Sequence, residues 1–262
     1  MDNEISNILN SKDINITDNL SNSENRNNLI FMARLYDKSE KYENMVECIN
    51  SFIKLNSLLT IEERNILSSG YKNILSPKRF SWRYLQNQYK KEEKENHKTA
   101  ASYVLEIKNK VELEILNICV NIINIIDNFL LPNANEIEFK VYYLKMKADY
   151  YRYQCEVSSI EENFNKNIQN AEYTYKNAYN LAEEFLPISS ITRLGTALNY
   201  SVFLYEIKEM SQEATLIAKN SLDEALKILD DLEKNMQKDT ILIIQLLMEN
   251  LMLWNADFNE ES

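Results

Sequence analysis

An all-α fold is predicted by three features of this 262-residue chain. Only two glycines and three prolines occur, too few turn-makers for a many-stranded β architecture and well suited to long helices joined by short polar loops. Hydrophobic residues make up 45% of the chain, enough for a substantial core in one large domain or two small ones. Apolar residues also recur at helical spacing almost to the end, which gives roughly nine helices.

Residues 1–24 are rich in Asn, Ser and Asp with scattered Ile and Leu. Such a segment buries too little surface to offset the entropy of ordering, so it is expected to be a mobile extension. A single helical domain is expected over 25–258, with a short acidic tail at 259–262. Breaks fall at Asn56-Ser57, Asn96-His97, Leu131-Pro132-Asn133, Ser158-Ser159 and Leu186-Pro187. Thr60, three residues before Glu63, makes the capping-box pattern that opens a helix near residue 61. Pro132 and Pro187 suit first-turn positions in the helices that follow them, where a missing amide proton is harmless. Segments share no fixed period, which disfavours a regular solenoid.

The formal net charge of −11 repels nucleic acid and anionic membranes, so anion binding must rest on a local basic patch. Neither a basic leader followed by an apolar stretch nor a segment apolar enough to cross a bilayer is apparent, so a cytoplasmic protein without membrane insertion is expected. Cys48, Cys119 and Cys155 are odd in number and widely spaced, without CxxC pairing, which points away from disulfides and zinc and toward a reducing compartment. His97, the single histidine, stands in the mixed-charge run 92–98 without a nucleophile beside it and reads as a surface residue. Gly70 and Gly195 are isolated, so no phosphate-binding glycine loop can be built. No catalytic set, metal site or cofactor is implied, and no pair of acids stands out as an enzyme's would.

The placement of cations is more informative. Lys72, Arg79 and Arg83 lie at i, i+7 and i+11 along one helix face. Lys145, Asp149, Arg152 and Tyr153 lie at i, i+4, i+7 and i+8 on the helix after Pro132, where Asp149 can hold the arginine. Two further helices each carry one asparagine among aliphatics: Asn199, three residues before Val202 and seven before Glu206, and Asn250, on a stripe with Leu242, Leu246, Leu253 and Trp254. A buried amide needs partners. Two basic and two amide-bearing apolar helices suggest an amphipathic groove.

Four segments resemble blocks of one family. The run from Arg64 to Asn73 is similar to the first 14-3-3 signature, and Lys238 to Leu247 followed by Asn250 to Trp254 is similar to the second. Lys140 to Tyr153 and Leu194 to Ile207 resemble further family blocks in the right order. The resemblance implies nine antiparallel helices in a concave, cup-shaped dimer whose subunits each hold a phosphorylated peptide, without catalysis. It implies phosphoserine- or phosphothreonine-dependent adaptors whose partners are phosphorylated proteins. The alternative is a divergent scaffold of the same fold with weakened phosphopeptide binding and altered dimerisation.

By motif position, Lys72, Arg79, Arg152 and Tyr153 resemble the phosphate-binding set, with Asp149 steadying it and Lys145 close by. Asn199 and Asn250 resemble the residues that bond the peptide backbone. Leu198, Val202, Leu242, Ile243, Leu246, Leu253 and Trp254 resemble the apolar wall that Glu206 faces. A homodimer, or a heterodimer with a relative, is implied through Lys41, Asn44, Ile107, Lys110 and Glu114, with Lys41 and Glu114 as a pair. Asn44 and Ile107 stand where the family usually has an acid and a tyrosine. Ser76-Pro77 stands where it usually has Gly-Ala, and this proline is expected to kink the helix between Lys72 and Arg79.

Overall fold

The computed structural model describes residues 22–158, 161–231 and 234–260. Among the described residues the fold is all-α, with nine α-helices and no strand. The helices are α1 (Asn22–Lys38), α2 (Tyr42–Leu55), α3 (Ile61–Lys94), α4 (Lys98–Ile125), α5 (Ile137–Val157), α6 (Glu161–Phe185), α7 (Ile191–Glu206), α8 (Ser211–Ile228) and α9 (Lys234–Glu260). The extension expected over 1–24 lies outside the described residues as far as residue 21, and residues 22–24 form the first turn of α1. Of the expected tail, 259 and 260 still belong to α9. Contacts group the chain into two units that part between Ile74 and Leu75, within α3.

The first unit holds α1, α2 and the start of α3. On α2, Met45, Val46, Ile49, Phe52 and Ile53 repeat at intervals of three and four and are buried, as an amphipathic helix requires. Gly70 of α3 faces them, where an added Cβ would stand 2.7 Å from Ile49 Cδ1, so a larger residue requires the end of that side chain to shift. The capping box is formed: Thr60 N donates to Glu63 Oε2 at 2.9 Å, and Glu63 N donates to Thr60 Oγ1 at 3.2 Å. Glu63 also accepts from Arg26 at 2.7 and 3.0 Å. Burial works to raise the Glu63 pKa, but Arg26 and Thr60 hold it below the usual carboxylate value.

The helix α3 runs unbroken through Pro77 to Lys94. The proline cannot donate to the preceding turn, yet Ser81 Oγ donates to its carbonyl at 3.0 Å and the helix continues.

In the second unit, α5 packs against α4, α6 and α7, and α7 packs against α8 and α9. Ala148, Tyr175, Leu194, Phe203, Ala218, Ile244 and Leu247 form its core with their neighbours. Ser190 caps α7 by accepting from Arg193 N at 3.3 Å. Pro187 therefore sits in the preceding loop, where its carbonyl accepts from Ser190 N, and not in the first helical turn. Pro132 likewise falls in a short 3-10 turn ahead of α5. The buried Arg193 guanidinium ties three helices together, bonding the Leu186 carbonyl and Glu224 at 3.0 Å and pairing with Glu183 at 3.1 Å.

One sequence expectation is corrected by α4. The segment Lys98–Asn133 contains an 18-residue window of mean hydropathy 1.6, long and apolar enough to cross a membrane. Part of that apolarity serves packing, since Ile115, Cys119 and Ile122 are fully buried, and a core helix passes the same length test as a membrane span.

Candidate functional site

The helix α5 organises the site, because its residues at intervals of three and four face α3, α6 and α7 in turn. Asp149 is its buried hub. It accepts from Lys145 Nζ at 2.9 Å, from Asn199 Nδ2 on both of its carboxylate oxygens at 2.8 and 3.0 Å, and from the Tyr175 hydroxyl in a short bond. Arg152 lies further off, 3.9 Å from the carboxylate, and donates instead to the Tyr175 hydroxyl at 3.2 Å. The expected hold of Asp149 on Arg152 is thus routed chiefly through a tyrosine that the sequence did not single out.

Burial governs the electrostatics of this hub. It works to raise the Asp149 pKa, but Lys145 and Arg152 outweigh it and keep the carboxyl ionised below its ordinary value. Burial works to lower the pKa of Lys145 and Arg152, and Asp149 with the neighbouring tyrosines keeps both raised. Three buried groups therefore stay charged together, and the two cations outnumber the one acid.

Above the hub, the guanidinium carbons of Arg79 and Arg152 lie 3.9 and 4.8 Å from the centroid of one ring, Tyr153. Arginine from α3 and arginine from α5 thus converge on one aromatic ring. Glu156, one turn after Arg152, accepts from Arg79 Nε at 2.6 Å and from Arg83 Nε in a still shorter bond. Arg79, Arg83, Arg152, Cys155, Glu156 and Glu206 line an open cavity of about 370 Å³. Cys155 is buried, and desolvation pushes its thiol up to about 12, which leaves it unreactive.

The expected phosphate set is therefore brought together for Arg79, Arg152 and Tyr153. Lys72 is exposed on the part of α3 that belongs to the first unit. The expected apolar wall divides. Leu242, Leu246 and Leu253 of α9 are exposed and Val202 is half-buried, but Leu198, Ile243 and Trp254 are buried in the core. Trp254 stacks on Tyr205 with ring centroids 4.5 Å apart. Leu198 belongs to the core side of α7, and Ile243 and Trp254 serve packing because α9 turns only one stripe outward while its 243, 247 and 254 positions face α7 and α8. Asn199 and Asn250 are half-buried and Glu206 is exposed.

Of the expected dimer residues, Lys41, Asn44, Ile107, Lys110 and Glu114 are all exposed. Glu114 bonds Lys78 of its own chain at 2.6 Å, and Lys110 bonds Glu106 at 2.7 Å. His97 does have partners: its Nδ1 lies 2.9 Å from Glu92 and 3.4 Å from Glu95. Asn96, with φ of 60°, folds the end of α3 back to bring the three together.

Glu156 and Tyr175 are the site residues that sequence reasoning missed. Glu156 carried a signal, since it repeats the spacing of the basic row at Arg152 plus four and Asp149 plus seven. Tyr175 carried none, because only the packing of α6 on α5 brings its hydroxyl to Asp149.

Comparison with known proteins gives a consistent result. A family model described as 14-3-3 protein matches residues 32–255. The chain is 41% identical over 242 residues to 14-3-3-like protein B of Vicia faba, covering 92% of each chain. It is 41% identical over 236 residues to 14-3-3-like protein GF14 iota of Arabidopsis thaliana, covering 90% of this chain and 88% of that one. It is 38% identical over 238 residues to 14-3-3 protein eta of Homo sapiens, covering 90% and 96% respectively.

Proposed function

Because the chain belongs to the 14-3-3 family and is a phosphopeptide-binding adaptor, we propose that the phosphate it reads is held by Arg79, Arg152 and Tyr153. The observation that carries this reading is the convergence of two guanidinium groups on the Tyr153 ring, at 3.9 and 4.8 Å. A phosphorylated side chain carries close to two negative charges and three strong acceptor oxygens, which paired arginine forks meet with charge-assisted bonds. Each such bond contributes about 1.5–3 kcal/mol. An unphosphorylated hydroxyl leaves the arginines without their anion, so rejection of the plain peptide arises from unpaired charge as well as from lost attraction.

The rest of the groove follows the same logic. The Asn199 NH2 is spent on Asp149, which leaves the amide oxygen to accept from a peptide N–H, and Asn250 is the second backbone contact. The exposed Leu242, Leu246 and Leu253 form the apolar wall. The adaptor acts by occupancy without turnover, in the cytoplasm, and pairs with a second copy or with a relative. Exposed Ile107, Phe80 and Tyr103 supply apolar area for that pairing. The divergent-scaffold alternative is not favoured, given about 40% identity over 90% or more of the chain.

Fluorescence anisotropy with a labelled phosphoserine peptide and its unphosphorylated twin tests the reading. Wild type should bind the phosphorylated form alone, and Arg79→Ala with Arg152→Ala should weaken it by roughly a hundredfold or more. Equal binding of both peptides by folded wild type would sink the assignment.

A further inference from the structure

We infer that Glu156 is a positioning residue of the anion site: it ties Arg79 and Arg83 together by their Nε atoms and leaves their terminal Nη donors for the incoming phosphate. The inference rests on the phosphate assignment above and adds to it a residue that carries the wrong charge for an anion site. Electrostatics alone makes an acid here a defect, since it repels the ligand that the arginines attract.

The hydrogen-bond pattern gives the acid its use. Each Glu156 oxygen takes one guanidinium, Oε2 from Arg79 and Oε1 from Arg83, and in both cases the bonded atom is Nε. A guanidinium has five donors in a rigid fork. Engaging the Nε edge fixes its plane and turns the Nη1–Nη2 edge away from the carboxylate, where it can meet a phosphate with two parallel bonds.

Burial makes this more than a surface ion pair. The Arg79 and Glu156 side chains are 16% and 17% exposed, so solvent screens them little, while Arg83 is 58% exposed and forms the outer arm. Without the acid, Arg83 would lose its partner on α5 and Arg79 would keep only the Tyr153 ring, with three cations lining one cavity. Long arginine side chains in that state swing toward solvent, and the phosphate must then reorder them.

Glu209 supplies the control. It lines the same cavity and makes no ion pair with these arginines. Replacing it removes one negative charge from the site and nothing else from the clamp.

The test is anisotropy titration of a phosphoserine peptide against wild type, Glu156→Gln and Glu209→Gln, with thermal melts of each. Glu156→Gln should weaken binding by about tenfold, whereas Glu209→Gln should leave it unchanged or tighten it. Unchanged or tighter binding by folded Glu156→Gln overturns the positioning role while leaving the phosphate assignment intact. No preference of wild type for the phosphopeptide overturns both. A second measurement holds whether or not the variant folds. In wild type, NMR should show the Arg79 and Arg83 Nε–H protons protected from solvent exchange, and exchange as fast as in a free guanidinium overturns the clamp.

Discussion

Two acids on one helix, Asp149 and Glu156, show how the same charge serves opposite ends. They stand seven residues apart on α5, so they share a face about two turns apart. Asp149 is enclosed: Lys145, Asn199 and Tyr175 fill its lone pairs, and nothing is left to offer a ligand. Glu156 lines an open cavity and accepts from two arginines through their Nε atoms. A fully satisfied buried network rigidifies a core, whereas a partly open one can exchange partners. The hub fixes where α5, α6 and α7 stand, and the clamp uses that frame to present charge.

The largest expected effect breaks the hub. Asp149→Ala should destabilise the protein by about 3–5 kcal/mol, because it leaves buried Lys145 and Arg152 uncompensated. Urea unfolding would measure this, and a change under 1 kcal/mol would mean the network is no hub. A smaller loss, about 1–3 kcal/mol, is expected from Tyr175→Phe, which removes the hydroxyl joining Asp149 to Arg152.

Acid should act on the same hub. The Asp149 pKa is lowered in the folded state, so its contribution is fully present above the ordinary carboxylate value and is lost as pH falls through the folded value. Urea midpoints should therefore drop as pH is taken below about 4, and less steeply in Asp149→Asn. Equal pH slopes for the two proteins would contradict the assignment of the shift.

At the clamp, stability should barely respond. Arg83→Ala removes an exposed arm and should cost about 0–1 kcal/mol, while weakening the phosphopeptide. A loss of stability as large as that of Tyr175→Phe would make the clamp structural and erase the contrast.

Sequence reasoning reached different depths in the two regions. The rows Lys145, Asp149, Arg152 and Arg79, Arg83 were legible because helical spacing maps directly onto a face. The end of the bond from Asp149 was not, since Tyr175 lies 26 residues on and carries no local sign of its partner. On α9, spacing alone could not separate outward Leu242, Leu246 and Leu253 from inward Ile243 and Trp254, because all belong to one broad apolar arc. Pro77 removes one hydrogen bond from the α3 ladder by its chemistry, and α3 is helical on both sides of it.

By itself, the sequence determined the all-α class, the capping box at Thr60, the joints between helices and the family, all of which rest on local periodicity or on residues contiguous in the chain. Tertiary structure alone decided which arginines share the Tyr153 ring, that Glu156 rather than Asp149 holds Arg79, and which α9 leucines stay exposed. Those facts depend on distances between helices far apart in sequence, and packing, not spacing, sets such distances.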